Sequence, residues 1–157
     1  LAFEPHELDL VEIARRSISM FQAEADEKHI ALDLVAQPEK ALVTADPLRT
    51  EQVIGNLLSN GLRYVPEGGK VWVEIARTGN EVTVSINDNG PGVPEADLPF
   101  IFNRFWRGEK SRARHSGGAG LGLAIAKLLV EGQSGRIVAQ GLPGGGLQVR
   151  VAFPACT

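Results

Sequence analysis

Ser116-Gly117-Gly118-Ala119-Gly120-Leu121-Gly122-Leu123-Ala124-Ile125-Ala126-Lys127 sets a glycine-packed loop directly before an apolar helical pattern. Glycines let a backbone come close to an anion, and a helix start offers unpaired N–H groups and a positive dipole end. The string therefore reads as a phosphate cradle, or as a flexible loop if nothing else accompanies it. Two upstream segments accompany it. Asn56 and Asn60 stand four residues apart in a helical pattern, so they share a face. Asn has poor helix propensity in an interior position. The pair either faces solvent and helps the helix end near Gly61, or forms a patch of neutral oxygen donors of the kind Mg²⁺ accepts beside substrate phosphates. Asn87-Asp88-Asn89-Gly90-Pro91-Gly92 is a tight turn by its Asn-Gly dipeptide. It also delivers Asp88 to the end of a strand. There a carboxylate can accept from the exocyclic amine of adenine and would face a mismatched carbonyl on guanine.

Arg104, Arg107, Lys110, Arg112 and Arg114 are crowded with only Glu109 against them. Such a run is a solvated loop or, beside a glycine cradle, a cationic cover for a polyphosphate. The three-residue spacing of Phe102 and Phe105 is the ordinary spacing of core packing.

The elements that must carry these residues can be read from periodicity. Apolar Val11, Ile13, Ala14, Ile18 and Phe21 predict a helix over residues 10–28, and alternation predicts a strand over 29–35. Leu42-Val43 is a short extended piece. Asp46-Pro47 is a helix start, with Asp as N-cap and Pro at the first position, and Val53, Ile54, Leu57 and Leu58 supply its apolar stripe. Alternating Val71, Val73 and Ile75, then Val82, Val84 and Ile86 across Thr78-Gly79-Asn80, predict a hairpin. Residues 90–99 read as loop, 120–131 as helix, and 136–140 and 147–153 as strands around Leu142-Pro143-Gly144-Gly145-Gly146. Helices mixed with hairpins indicate an α+β fold, a two-layer sandwich with helices on one face of a mixed sheet.

Composition sets the outer bounds. The chain has 157 residues, the length of one domain, and 43% hydrophobic residues, enough for a core. Its net charge of −3 does not favour nucleic acid as a partner. The single cysteine, Cys156, leaves no disulfide framework and no cysteine metal site within the chain, which fits a reducing compartment. No apolar run approaches transmembrane length. Beginning at Leu1, the chain reads as a piece of a longer polypeptide.

With these motifs in place the chain closely resembles the catalytic, ATP-binding domain of sensor histidine kinases, in the gyrase–Hsp90–kinase–MutL superfamily. The N box resembles Asn56-Leu57-Leu58-Ser59-Asn60-Gly61-Leu62-Arg63-Tyr64, and the first glycine box Asp88-Asn89-Gly90-Pro91-Gly92. The Phe box resembles Phe102-Asn103-Arg104-Phe105-Trp106-Arg107, and the second glycine box Gly118-Ala119-Gly120-Leu121-Gly122-Leu123. The resemblance implies a Bergerat fold with a mobile ATP lid over about residues 103–119. It implies Asn60 as Mg²⁺ ligand, Asn56 on the metal or phosphate side, Arg63 on phosphate and Tyr64 lining the nucleotide pocket. It places Asp88 on the adenine amine, Gly90 and Gly92 around the base, and Arg107 reaching phosphate from the lid. Gly118, Ala119, Gly120, Leu121 and Gly122 would wrap the phosphates. Of these, Asn60, Arg63 and Arg107 would serve catalysis directly.

Further implications are a dimerisation domain carrying the phosphoacceptor histidine, absent upstream of residues 1–157, and a response regulator as downstream partner. The parent would be a homodimeric membrane sensor with this domain in the cytoplasm, and the fragment alone monomeric. The chain departs from the family pattern at Ala119 (usually Thr), Gly61 (usually Ala) and Gln133 (often His). ATP hydrolases of the superfamily carry a glutamate one turn before the Mg²⁺ asparagine. Asn56 stands there, and an amide is a poor general base. A Ser/Thr kinase of the anti-sigma class and a degenerate binding domain are the remaining rivals. A Rossmann reading fails on glycine spacing, and no Walker Gly-Lys-Ser/Thr is present. His6 lies in Pro5-His6-Glu7-Leu8, a faint match to a phosphoacceptor box whose continuation is missing. His29 is expected to open a strand, His115 falls in the lid, and nothing groups the three into a metal site.

Overall fold

The computed structural model describes residues 2–104, 106 and 121–156. Its main sheet contains β2 (Ala31–Ala36), β4 (Lys70–Thr78), β5 (Glu81–Asp88), β6 (Arg136–Gly141) and β7 (Leu147–Pro154), in the order β2-β4-β5-β7-β6. β2 runs parallel to β4, and every other pairing is antiparallel, so the sheet is mixed. A small ribbon pairs β1 (His6–Asp9) with β3 (Leu42–Ala45). Helices α1 (Leu10–Glu27), α2 (Pro47–Tyr64) and α3 (Gly122–Glu131) pack on one face. No helix among the described residues is long and apolar enough to cross a membrane.

The core follows from the two periodicities. Val71, Val73 and Ile75, Val82, Val84 and Ile86, and Val149, Val151 and Phe153 all point from alternate positions toward the helices, and all are buried. Leu57, Leu58 and Leu62 of α2 meet them, with Ile13 of α1 and Leu129 of α3. Each fully buried side chain of this kind contributes about 1.5–3 kcal/mol. That packing fixes which faces of α2 remain available for polar work.

Asp46 caps α2 as its position before Pro47 predicts. One carboxylate oxygen accepts from Arg49 N at 3.1 Å, and the other accepts from Glu4 N at 2.8 Å. These backbone N–H bonds, Glu4 first, hold its pKa below the ordinary 3.8. Asp46 N in turn donates to Gln133 Oε1 at 2.6 Å, and Gln133 Nε2 donates to Leu129 O. Gln133 thus ties the end of α3 to the start of α2. Phe3 packs on Gly132, where a Cβ would lie 2.7 Å from its ring.

Three features differ from the sequence reading. His29 is not in a strand: its φ of 56° places it in the left-handed region after α1, and β2 begins at Ala31. His29 N and Ile30 N donate back to Asp26 O and Ala25 O, which closes the last helical turn. β1 escaped the reading because only Leu8 of its four residues is buried, leaving no alternation to detect. His6 is consequently a strand residue paired with Ala45. A 3₁₀ turn, Glu95–Phe100, occupies part of the expected loop.

Gly61 is buried inside α2, and a Cβ built there would sit 3.5 Å from the methyls of Val71, an ordinary contact. Gly61→Ala should therefore raise stability by up to about 1 kcal/mol, through helix propensity and a less disordered unfolded chain. Denaturant titration checks this. A loss of stability would show that the α2–β4 interface has no room for a methyl.

Candidate nucleotide site

Asp88 ends β5 and is buried, on the sheet face that carries the helices. Its Oδ1 accepts from Gly90 N at 2.9 Å and from Leu147 N at 3.3 Å. Burial pushes its pKa above the ordinary 3.8, and the two N–H donors offset part of that rise. A carboxylate that is desolvated yet only partly satisfied, at a strand end beside glycines, is poised to accept one more hydrogen bond.

The backbone comes very close around it. A Cβ at Gly90 would stand 3.2 Å from Asp88 Oδ1 and 3.4 Å from Tyr64 O, so the last turn of α2 abuts the first glycine box. Gly92 has φ 74° and faces the backbone of Gly146, whose oxygen would lie 3.2 Å from a Cβ. Gly146 itself has φ 104°, and a Cβ there would collide with Asp88 O. Any side chain at 146 would push the Asp88 backbone aside. In the sequence Gly146 reads only as part of a turn. Its signal was the Gly144-Gly145-Gly146 run, longer than a reversal needs, since all three have positive φ.

The second part of the site lies along α2. Asn56 Nδ2 donates to Gly122 O at 3.2 Å, which joins the N-box helix to the first residue of α3. Asn60 lies one turn further along the same helix and is half-buried, as is Arg63, while Tyr64 at the helix end is exposed. α2 therefore touches Gly122 through its middle and Gly90 through its last turn. Arg107, Gly118, Ala119 and Gly120 lie outside the described residues. Among the described residues no group of three His, Cys, Asp or Glu side chains could hold a metal ion. A groove of about 440 Å³ between α1 and α2 is lined by Met20, Phe21, Leu48, Gly55 and Asn56 among others. Neither Asp88 nor Gly90 lines it.

Residues 45–157 match the family described as histidine kinase-, DNA gyrase B- and HSP90-like ATPases. The chain belongs to this ATPase family. Curated relatives include the signal transduction histidine-protein kinase BaeS of Escherichia coli, 35% identical over 98% of this chain and 33% of that protein. The sensor protein SphS of Synechococcus elongatus is 42% identical over 74% of this chain and 30% of its own length. The chain thus spans about a third of the curated relatives it matches. Among solved structures, the catalytic domain of histidine kinase ThkA superposes with a TM-score of 0.86 at 27% identity, covering 97% of this chain and 96% of that one. The fold is the Bergerat fold of this ATPase family, a mixed sheet backed by helices.

Because its folded-state pKa is raised, the ionised form of Asp88 opposes folding at neutral pH, and a neutral amide there relieves that cost. Asn still offers an oxygen to Gly90 N and Leu147 N. Asp88→Asn should hold or raise the melting temperature while weakening ATP binding by about tenfold or more, the worth of a hydrogen bond to a charged group. Calorimetric titration and thermal unfolding of the same sample check both halves. Unchanged ATP affinity would remove Asp88 from the site.

Proposed function

We propose that residues 1–157 are the catalytic, ATP-binding domain of a sensor histidine kinase, which binds Mg·ATP and presents its γ-phosphate to a histidine on a separate dimerisation domain. The observation that carries this reading is Asn56. It occupies the place one turn before Asn60, and its amide is engaged with Gly122 O rather than poised as a base. An amide cannot activate water, which argues against a hydrolase. The near end-to-end likeness to the ThkA catalytic domain supports the same assignment.

In this reading Asp88 accepts from the adenine amine, with Gly90, Gly92 and Gly146 giving the base access to the backbone. Asn56, Leu121 and Gly122 hold the phosphate end together with Gly118, Ala119 and Gly120. Arg63 and Arg107 supply positive charge to the phosphates, and Tyr64 lines the pocket. Asn60 would hold Mg²⁺. The donor chemistry fits, because Mg²⁺ takes neutral oxygens and completes its sphere with phosphates and water, and no carboxylate cage is needed. When bound, the metal neutralises charge on the transferring group. The protein's share is then positioning, and the base for the acceptor histidine comes from the other domain.

A structure of ThkA in complex with the response regulator TrrA, 25% identical to this chain over 97% of it, supports a response regulator as the downstream partner. A membrane-anchored, homodimeric parent with this domain in the cytoplasm completes the proposal, and this piece alone would be monomeric.

The test uses γ-labelled ATP with residues 1–157 alone and with the full-length polypeptide. Acid-labile, base-stable label on a histidine in the full-length protein, and none on the isolated domain, is the expected result. Rapid phosphate release by residues 1–157 with no phosphoprotein in either sample would move the chain to the hydrolase branch of the family.

A further inference from the structure

The face of the sheet turned away from the helices carries a polar row whose centre is buried and whose ends are not. Trp72, Asn87, Gln148 and Gln140 lie directly opposite one another across β4, β5, β7 and β6. Asn87 is only 1% exposed and Gln148 7%, although their neighbours Glu74, Val138 and Arg150 on the same face are exposed. Burying amides is tolerable only when their hydrogen bonds are made, and here they are. Asn87 Nδ2 is shared among Ser85 Oγ at 3.2 Å, Trp72 O at 3.3 Å and Ser85 O at 3.4 Å. Asn87 Oδ1 accepts from Gln148 Nε2 at 2.8 Å. Gln148 Oε1 then accepts from Gln140 Nε2 at 2.9 Å and from an Arg150 guanidinium N–H at 3.1 Å.

The location of this row matters more than its extent. Asn87 immediately precedes Asp88, and Gln148 immediately follows Leu147, whose N–H donates to Asp88 Oδ1. The Asn87–Gln148 bond therefore locks the register of β5 on β7 at the last pair before the carboxylate and its donor. Strand ends are where ladders open most readily. A buried amide pair is a strong constraint there, because opening it would strand unsatisfied groups.

We propose that Asn87, through Gln148, is a positioning residue for the Asp88 carboxylate: it acts from the opposite face of β5 to hold the acceptor where an adenine amine would meet it. This rests on the reading of Asp88 as the adenine ligand. Asn87 and Asp88 are successive residues of β5 and face opposite sides of the sheet, so any effect of Asn87 on nucleotide would pass through Asp88 and be specific to adenine.

The test compares ATP and GTP affinities, by competition against a fluorescent ADP analogue, for the wild type, Asn87→Val, Gln148→Leu, Asp88→Asn and the Asn87→Val/Asp88→Asn pair. Val suits a strand, and Gln148→Leu breaks the same bond from the other side should Asn87→Val fail to fold. ATP affinity should fall about tenfold in either single variant, which corresponds to about 1.4 kcal/mol. GTP affinity should stay constant, and Asn87→Val should add nothing in the Asp88→Asn background. Equal losses for both nucleotides, or a lowered melting temperature with ATP affinity intact, would reduce the row to sheet stability and overturn the proposal. Weakened ATP binding in Asp88→Asn with none in the row variants would overturn this proposal alone. Unchanged binding in Asp88→Asn would overturn the adenine assignment and the proposal with it.

Discussion

A single buried oxygen organises this domain. Asp88 Oδ1 takes two backbone N–H donors, one from the glycine box that follows it and one from the start of β7. The first fixes the turn into the first glycine box, and the second fixes β7 against β5. Burial nonetheless leaves the carboxylate with a raised pKa, so its solvation is incomplete. The fold carries an electrostatic cost at the position where a ligand would relieve it, which is the usual arrangement of a recognition site. Gly146 belongs to the same constraint, because a Cβ there would collide with Asp88 O, and Gly92 packs closely on the Gly146 backbone in turn.

Helix α2 connects this centre to the phosphate end. Its apolar stripe, from Val53 to Leu62, is buried against the sheet and its neighbours, and the same packing sets the angular position of Asn56 and Asn60. Its N-terminus is anchored by Asp46, which joins the segment at Glu4, the helix start and Gln133 just past α3. Its middle holds Gly122 through Asn56. Its last turn lies against Gly90. One helix therefore spaces Gly122 from Gly90, the separation that the proposed nucleotide site uses.

Much of this was legible in the sequence. The Asp46-Pro47 start, the alternation through 71–75 and 82–86, and the turn after Asp88 each have a local cause in propensity or period, and the structure places Asp88 at a strand end as that alternation requires. Other features were not legible because their cause is not local. β1 is held by its pairing with β3 rather than by a pattern of its own. His29 looked like the first residue of a strand, but the need to close α1 puts it in a left-handed conformation that residue type alone does not announce. Gly146 and the Asn87–Gln148 pair depend on strands 61 residues apart meeting in a particular register, which no window of sequence contains. Gln133, read as a departure from the family, proves to have a partner of its own in Asp46 N.

The central claim is that the Asp88 carboxylate is desolvated in the free domain and is answered by adenine. The direct measurement is a carbon-detected NMR pH titration of the Asp88 carboxyl with and without nucleotide. The account predicts a free-domain midpoint above the ordinary aspartate value, falling when ADP binds and unmoved by GDP. A midpoint at the ordinary value, or the same shift with either base, would contradict it.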